Sequence, residues 1–323
     1  MAAQPVTTYP TRLEQLLPLP RTIPQAGRLI VSLLSVALLV VGLATAASNW
    51  HLTDLKAYLA AADLLASGGN PFDVALMERG LPYHYHYSPW FAALFVPLTG
   101  LPVEVVRIGW SGILIAASVI ALAPVVRTYR YHALPLVAVM TFLLSNLVAE
   151  GNVQPLLLAA LVWSLEHRWG PVAIGVAASL KITPILLALV YARRGQWARA
   201  ALSGGIAAIL VVPTFLYELP PSATSTGGTG LFTSAPVIWG ASVVIAIGAT
   251  WWLGTTRFAW LAVSTATVLA LPRLLIFDVT NLITAIPRDH GYRADRQSIR
   301  DCLAPLGRGP NSRAPGTRSH QSG

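Results

Sequence analysis

The sequence has few charged residues and only one cysteine in a length of 323 residues. Charged residues make up 11% of the chain and hydrophobic residues 54%, whereas about a quarter of the residues of a soluble protein are charged. This composition excludes an ordinary soluble enzyme and indicates an integral membrane protein. The one cysteine, Cys302, lies in a polar carboxyl-terminal segment, so no disulfide forms within the chain and the thiol indicates no catalytic role.

Sequence motifs for cofactors and metals are also absent. The chain has no CxxC, HExxH, P-loop or GxGxxG pattern, and we therefore predict no cofactor. His84 and His86 alternate in sequence and would share one face of an extended strand. No third or fourth ligand lies near them in the sequence, so we predict no zinc site.

Long hydrophobic runs fill most of the chain between residues 29 and 286. A membrane-spanning helix needs about 20 apolar residues, and several of these runs are shorter. The pattern predicts an all-α, polytopic membrane protein with about nine or ten hydrophobic helices. The runs cover residues 29–47, 88–101, 108–126, 133–149, 153–165, 171–191, 200–216, 236–253, 256–271 and 274–286.

Composition divides the chain into three parts. Residues 1–28 are predicted to form a cytoplasmic tail, residues 29–286 a transmembrane domain, and residues 287–323 a basic, disordered tail. An external loop over residues 48–87 separates the first two hydrophobic runs. Residues 44–46 form an A-x-A pattern, so a cleaved signal peptide is an alternative to a first membrane span, although the length of the run favours the span.

The arginines predict how the chain is oriented in the plasma membrane. If the runs alternate, one side of the membrane receives Arg12, Arg21, Arg28, Arg193, Arg194 and Arg199. The positive-inside rule makes that side cytoplasmic and the 48–87 loop external. Arg127, Arg130 and Arg168 fall on the outer side in the same scheme, which leaves the orientation open. The net charge of +9 therefore reflects orientation and not a nucleic-acid-binding surface.

Asp54 opens the external loop a few residues beyond the first hydrophobic run. Thr53 is a suitable N-cap residue, and apolar residues recur at helical spacing from Leu55 to Leu65, which predicts a short juxtamembrane helix along the membrane interface. A carboxylate there is placed to act on a lipid-borne substrate. Alternatively, Asp54 only supplies favourable negative charge at a helix N-terminus or pairs with Lys56.

Several short motifs follow Asp54 in a characteristic order. They are Tyr58 four residues after Asp54, Asn70-Pro71-Phe72, Tyr85-His86-Tyr87-Ser88-Pro89, Gly151-Asn152-Val153-Gln154, Lys181-Ile182-Thr183-Pro184, and Leu271-Pro272-Arg273 with Phe277-Asp278. In this order the chain resembles glycosyltransferase family 87, the polyprenyl-phosphate-mannose-dependent mannosyltransferases of the GT-C superfamily. It departs from that family at Ser88, where a second proline is common, in its shorter length, and beyond Ile286, where the resemblance ends.

The resemblance implies a GT-C-like helical bundle and a glycosyltransferase activity. Such an enzyme moves a sugar, expected to be mannose, from a polyprenyl-phosphate donor to a hydroxyl of a lipid or glycan acceptor. The reaction takes place at the external face of the membrane and inverts the anomeric centre. Asp54 is then expected to be the general base that takes the acceptor proton. This scheme requires no metal.

The candidates to bind the donor phosphate are Arg273, Lys181, His84 and His86, and Arg273 is the first choice. Arg273 follows a break at Pro272, and its guanidinium offers two parallel hydrogen bonds to a phosphate; alternatively, it only reaches from a helix end to the membrane surface. Lys181 lies in the middle of the run at 171–191, where an ionisable residue normally faces a cavity or a partner. A kink is expected beside it at Pro184.

The other candidates for substrate binding are polar or aromatic, namely Tyr58, His84, Tyr85, His86, Tyr87, Asn152 and Gln154. The tyrosines also suit an ordinary aromatic belt at the membrane surface. Asn152 and Gln154 lie between two runs that are short for a membrane span, which predicts a hairpin that dips into the membrane from outside, with its polar tip buried in protein. Their side chains either satisfy the turn or line a sugar pocket.

Two other functions remain compatible with the sequence. A transporter or flippase for lipid-linked sugars would use the same basic cavity without a general base. A truncated and inactive relative of the family would lack the donor site.

Overall fold

The structure is a computed structural model that describes residues 25–74, 76–78, 81–219, 231–256, 258–272 and 275–285. Most of the predicted amino-terminal tail and all of the predicted tail at 287–323 lie outside the described residues. The described part is helical except for its loops and one small hairpin, and several of its helices are apolar. The predicted all-α membrane fold is therefore confirmed.

The helices and strands follow one another along the chain in this order. The α-helices are α1 (Gln25–Ser48), α2 (Thr53–Ala66), α3 (Pro89–Ala93), α4 (Val103–Tyr129), α5 (Leu134–Glu150), α6 (Gln154–Ser164), α7 (Gly170–Leu180), α8 (Ala188–Arg193), α9 (Trp197–Val211), α10 (Leu231–Ser234), α11 (Pro236–Leu253) and α12 (Ala259–Leu269). Short 3₁₀-helices cover Pro71–Asp73, Val96–Leu98, Arg130–Ala133, Thr183–Leu187, Val212–Leu216 and Ile276–Ala285. Strands β1 (Leu76–Glu78) and β2 (Leu81–Tyr83) pair antiparallel.

Four helical segments of the described chain are long and apolar enough to cross a membrane, namely Gln25–Ala66, Val103–Tyr129, Trp197–Leu216 and Pro236–Leu253. Other predicted runs are shorter helices or are broken. The run at 88–101 consists of α3 and a 3₁₀-helix, each with a proline near its start. The run at 171–191 is interrupted at Lys181, which is extended. Proline removes a helix hydrogen bond. The apolar character of a run alone therefore overestimates the length of its continuous helix.

The juxtamembrane helix α2 packs its apolar face against protein. The ring of Tyr58 lies 5.4 Å from that of Tyr87, 5.0 Å from Phe91, 5.2 Å from Phe95 and 6.2 Å from Trp110, measured between centroids. Sequence periodicity predicts a helix that rests on the lipid boundary. The helix is present, but aromatic residues of the following segments cover its apolar face, so α2 belongs to the core.

One end of the bundle is held by arginines that bind the carboxyl ends of helices. Arg199 Nη2 donates to the carbonyl of Leu165 at 3.1 Å, just after α6, and Arg193 Nε donates to the carbonyl of Trp251 at 2.7 Å near the end of α11. The last carbonyls of a helix have no partner within the helix and attract cations. We call this side of the molecule the arginine end.

Arg127 also lies at the arginine end, and Arg168 lies in the short loop that follows α6 there. The guanidinium of Arg127 is 5.4 Å from the ring centre of Trp163. Trp110, about 25 Å away along α4, donates to the carbonyl of Gly151 at the opposite end. The alternating scheme puts these arginines on the other side, because it counts the run at 88–101 as a crossing. That run is two short helices, and the run at 171–191 is also broken, at Lys181. Neither is one continuous span, so Arg127 and Arg168 lie at the same end as Arg193 and Arg199.

Helices α7 and α9 approach closely at Gly175, where a Cβ atom would lie 2.6 Å from the Cβ of Ile206. We expect Gly175→Ala to destabilise the protein by about 1–3 kcal/mol, because a packed interface must move apart. Gly205→Ala on α9 is the matched control, since nothing lies within 4 Å of its Cβ position, and alanine there should stabilise the helix by up to about 1 kcal/mol. Thermal unfolding in one detergent compares the variants, and equal melting temperatures would contradict the prediction.

Candidate active site

Asp54 lies in the first turn of α2, where this helix meets the turn between α5 and α6. The residue is 4% exposed, so it is buried in protein, although the sequence places it at the start of an external loop. Asn152 Nδ2 donates a hydrogen bond to Asp54 Oδ2 at 2.5 Å. The carboxylate is therefore held by an amide from a distant part of the chain.

A residue in the left-handed conformation fixes the start of α2. Leu52 has φ 51° and ψ 43°, a backbone conformation that costs a residue other than glycine about 1–2 kcal/mol. Its N–H donates to the carbonyl of Ala149 at 2.9 Å, which ties the start of α2 to the end of α5. Thr53, the predicted N-cap, is instead the first helical residue. Leu52 thus orients the turn that carries Asp54.

The turn between α5 and α6 is short and filled with polar contacts. Gly151 ends α5 with φ 75°, and Asn152 Oδ1 accepts a hydrogen bond from the backbone N–H of Gln154 at 2.9 Å. Asn152 is 9% exposed and Gln154 is 2% exposed. The sequence correctly predicts that the polar tip of this hairpin is buried in protein.

Tyr87 lies on the other side of Asn152. Asn152 Nδ2 is 3.4 Å from the Tyr87 hydroxyl, and the Tyr87 ring packs edge-on against Tyr58. Burial, and next the negative charge of Asp54, raise the pKa of the Tyr87 hydroxyl above its ordinary value. The hydroxyl therefore stays protonated at neutral pH and can donate a hydrogen bond.

Lys181 stands at the break between α7 and the 3₁₀-helix Thr183–Leu187, as the sequence predicts from Pro184. Its Nζ lies 3.9 Å from Asp278 Oδ1. The charges of Lys181 and Asp54 also attract each other. The structure therefore brings a buried carboxylate and a lysine from separate motifs into one site.

The last 3₁₀-helix, Ile276–Ala285, adds two residues that were not among the candidates. Asp278 contacts Lys181, and Asn281 Oδ1 accepts a hydrogen bond from Gln154 Nε2 at 2.7 Å. Gln154 Oε1 is buried with no hydrogen-bond partner among the described residues. The sequence signal that could have identified them is a polar residue at every third position of an apolar run, which matches the period of a 3₁₀-helix.

Four other predicted residues, Tyr85, His84, His86 and Arg273, lie apart from Asp54 or outside the described chain. Tyr85 is buried in the aromatic core, and its hydroxyl donates to the carbonyl of Ser88 at 2.8 Å. His84 Nδ1 is 3.2 Å from the carbonyl oxygen of Val74. Arg273 falls outside the described residues.

His86 is exposed, and its ring centre lies 6.3 Å from that of His84. In the described part of the chain, no three His, Cys, Asp or Glu side chains are grouped so that they could hold a metal ion.

Two cavities lie on the face of α2 opposite Asp54. Their volumes are about 340 and 200 Å³. Both are lined by Lys56, Leu59 and Val103, and neither is lined by Asp54. The two faces of α2 therefore have different environments. Asp54 and Tyr58 face the core, and Lys56 faces a groove beside α4.

Comparison with known proteins assigns the family. Residues 85–277 match the family model of Glycosyltransferase family 87, which is more than half of the chain. This chain belongs to glycosyltransferase family 87. Tyr87, Asn152, Gln154 and Lys181 lie within the matched residues. Asp54 precedes them, so its connection to the family 87 site depends on the contacts described above.

A relative in Mycolicibacterium smegmatis (strain ATCC 700084 / mc(2)155) is named polyprenol-phosphate-mannose-dependent alpha-(1-2)-phosphatidylinositol pentamannoside mannosyltransferase. It is 27% identical to this family 87 chain over 168 residues, which are 48% of the chain and 41% of the relative. The chain thus spans about two-fifths of the relative's length. No solved structure matches the chain.

Proposed function

We propose that this family 87 member is a membrane glycosyltransferase that moves a hexose, expected to be mannose, from a polyprenyl-phosphate donor to a hydroxyl of a lipid or glycan acceptor. The observation that carries the proposal is the buried Asp54 carboxylate, which accepts a hydrogen bond from Asn152. A base for the acceptor and a cation for the departing phosphate are the two groups that this reaction uses. The relative's printed name supports the donor and the sugar.

Asp54 acts in this proposal as the general base. Asn152 binds Oδ2, and Oδ1 takes the proton of the acceptor hydroxyl. The acceptor oxygen attacks the anomeric carbon of the donor from the face opposite the phosphate, so the new glycosidic bond has the inverted configuration. A positioned base accelerates such a step by about 10²–10⁴-fold.

Lys181 acts on the leaving group. As the bond between the anomeric carbon and the phosphate oxygen breaks, its electron pair stays on the phosphate, and polyprenyl phosphate leaves with one more negative charge. The Lys181 ammonium stabilises that charge within a site where little water screens it. Arg273 remains a candidate second ligand of the phosphate, because a guanidinium can bind two of its oxygens.

The polar groups around Asp54 are proposed to hold the sugar. Gln154 Oε1 is a buried acceptor that suits a sugar hydroxyl, since an unsatisfied buried acceptor costs about 1–3 kcal/mol. The protonated Tyr87 hydroxyl is a donor on the other side of Asn152. Together they offer one acceptor and one donor to adjacent hydroxyl groups.

The arrangement of arginines supports an external site in the plasma membrane. Arg127, Arg193 and Arg199 lie at the arginine end, which the positive-inside rule makes cytoplasmic. Asp54 lies at the opposite end of the bundle. The donor is then used on the external side.

Reconstitution of the full chain tests the proposal against its two rivals. Liposomes with purified protein, radiolabelled polyprenyl-phosphate mannose and total membrane lipid are expected to give a labelled product whose anomeric configuration, determined by NMR, is opposite to that of the donor. A flippase would move the donor across the bilayer without forming a new glycosidic bond. An inactive relative would neither bind the donor nor make product. Either result would contradict the proposed activity.

A further inference from the structure

The last 3₁₀-helix presents a buried polar face to the bundle. Asp278, Asn281 and Thr284 are 4%, 7% and 6% exposed. Side chains three residues apart eclipse each other in a 3₁₀-helix, so these three form one row. Polar groups at this depth are costly unless they are paired, and each member of the row has a partner on a different element.

The contacts of this row join several parts of the site. Asn281 binds Gln154, at the start of α6. Thr284 Oγ1 is 2.6 Å from Ser264 Oγ on α12. Asp278 uses its two oxygens differently: Oδ2 accepts from the backbone N–H of Leu275 at 2.9 Å, and Oδ1 is 3.9 Å from Lys181 Nζ.

The two partners in the Lys181–Asp278 pair differ in mobility. The bond from Leu275 fixes the Asp278 carboxylate at the start of its helix, whereas lysine has a flexible four-carbon stem. A distance of 3.9 Å is longer than the 2.7–2.9 Å of a close charge-assisted hydrogen bond. The ammonium is therefore attracted to Asp278 without being locked onto it.

The negative charge of Asp54 also attracts the Lys181 ammonium. A buried ammonium with no carboxylate partner would be strongly unfavourable. Asp278 supplies that partner at 3.9 Å. The same 3₁₀-helix supports the Asp54 side of the site through Asn281 and Gln154.

We propose that Asp278 is the positioning residue for Lys181, and that it holds the ammonium beside Asp54, ready for the phosphate of the donor. This inference rests on the proposed function. When the donor binds, its phosphate becomes the stronger partner of Lys181, and Asp278 remains fixed by Leu275. Asp278 itself does not contact the substrate.

A double-mutant cycle in the reconstituted enzyme tests the inference. Asp278→Asn keeps an oxygen for the Leu275 N–H and replaces the carboxylate with a neutral amide. We expect kcat/KM for the donor to fall about 10-fold in Asp278→Asn and about 100-fold in Lys181→Met, since a lost transition-state donor costs about 10²–10³-fold. The double variant should be no worse than Lys181→Met, because Asp278 acts only through the lysine. Multiplied losses in the double variant would overturn the inference.

Two further variants separate positioning from folding. Asp278→Glu restores the charge and is expected to recover most of the activity that Asp278→Asn loses. Thr284→Val removes a contact on the same face of the same helix, and it should lower the melting temperature while leaving kcat/KM of the folded protein unchanged. An equal loss of kcat/KM in Thr284→Val and Asp278→Asn would mean that Asp278 only supports the fold.

The same proteins distinguish a failure of the inference from a failure of the proposed function. If the wild-type protein does not transfer the sugar, the proposed activity is wrong, and the cycle is repeated on the Kd of labelled donor in nanodiscs. Non-additive losses of binding would still support the pairing of Lys181 with Asp278, and additive losses would contradict it. Absence of donor binding by the folded wild-type protein would overturn both.

Discussion

Asp54→Asn is expected to reduce kcat for sugar transfer by about 10²–10⁴-fold, the range for loss of a positioned general base. Asparagine has nearly the same shape and keeps a carbonyl oxygen that can accept the hydrogen bond from Asn152. It cannot take a proton from the acceptor. The rate is measured in liposomes with saturating donor and acceptor, so that it reports the chemical step.

The matched control for this prediction is Asp63→Asn, an exposed aspartate later on the same helix. Its rate should equal that of the wild-type protein. Binding of the labelled donor to Asp54→Asn should change little, because the proposal assigns the phosphate to Lys181. Transfer by Asp54→Asn at the wild-type rate would show that Asp54 is not the base.

Gly151→Val is expected to destabilise the protein by roughly 2–4 kcal/mol. The backbone there has φ 75°, and a Cβ would lie 3.1 Å from the Cβ and 3.2 Å from the backbone nitrogen of Leu55. A branched residue is strained in this conformation, and the turn must also move away from α2. Because Asn152 follows directly and Asp54 precedes Leu55, the amide–carboxylate contact should lengthen. We expect at least an order of magnitude less transfer activity per folded molecule.

Gly68→Val separates the two causes of the Gly151→Val effect. Gly68 has a similar φ of 78°, but nothing lies within 4 Å of its Cβ position. Gly68→Val should therefore lower the free energy of unfolding by about 1–2 kcal/mol through backbone strain, and its sugar-transfer activity should be unchanged. Thermal unfolding and transfer rates measured on both variants give the comparison. If Gly68→Val lost as much activity as Gly151→Val, crowding against Leu55 would not be the cause.

Local features of the sequence predict the parts of the site but not their surroundings. The helix after Asp54, the turn at Gly151 and the break at Lys181 are recognisable because periodicity, glycine and proline act within a few residues. The burial of Asp54 is not recognisable in this way. Its amide partner is 98 residues away in sequence, and no local pattern reports such a contact.

Two other differences between the sequence-based predictions and the structure also have specific causes. The apolar run at 88–101 has the composition of a membrane span, but Pro89 and Pro97 divide it into short helices. The row formed by Asp278 and Asn281 has a period of three, which a search for α-helical or strand periods does not detect. Lys181 can be identified from the sequence because an ionisable residue in an apolar run is energetically unfavourable. That Asp278 is its partner is evident only from the structure.

The long separations within the site impose an order on its formation during synthesis. Asp54 is made about a hundred residues before the turn that binds it, and Lys181 is made about a hundred residues before Asp278. A nascent chain halted after α12 would contain Asp54 and Lys181 but not the carboxylate that pairs with the lysine. The charge of Lys181 is therefore balanced by Asp278 only after the 3₁₀-helix Ile276–Ala285 has been made and has joined the bundle.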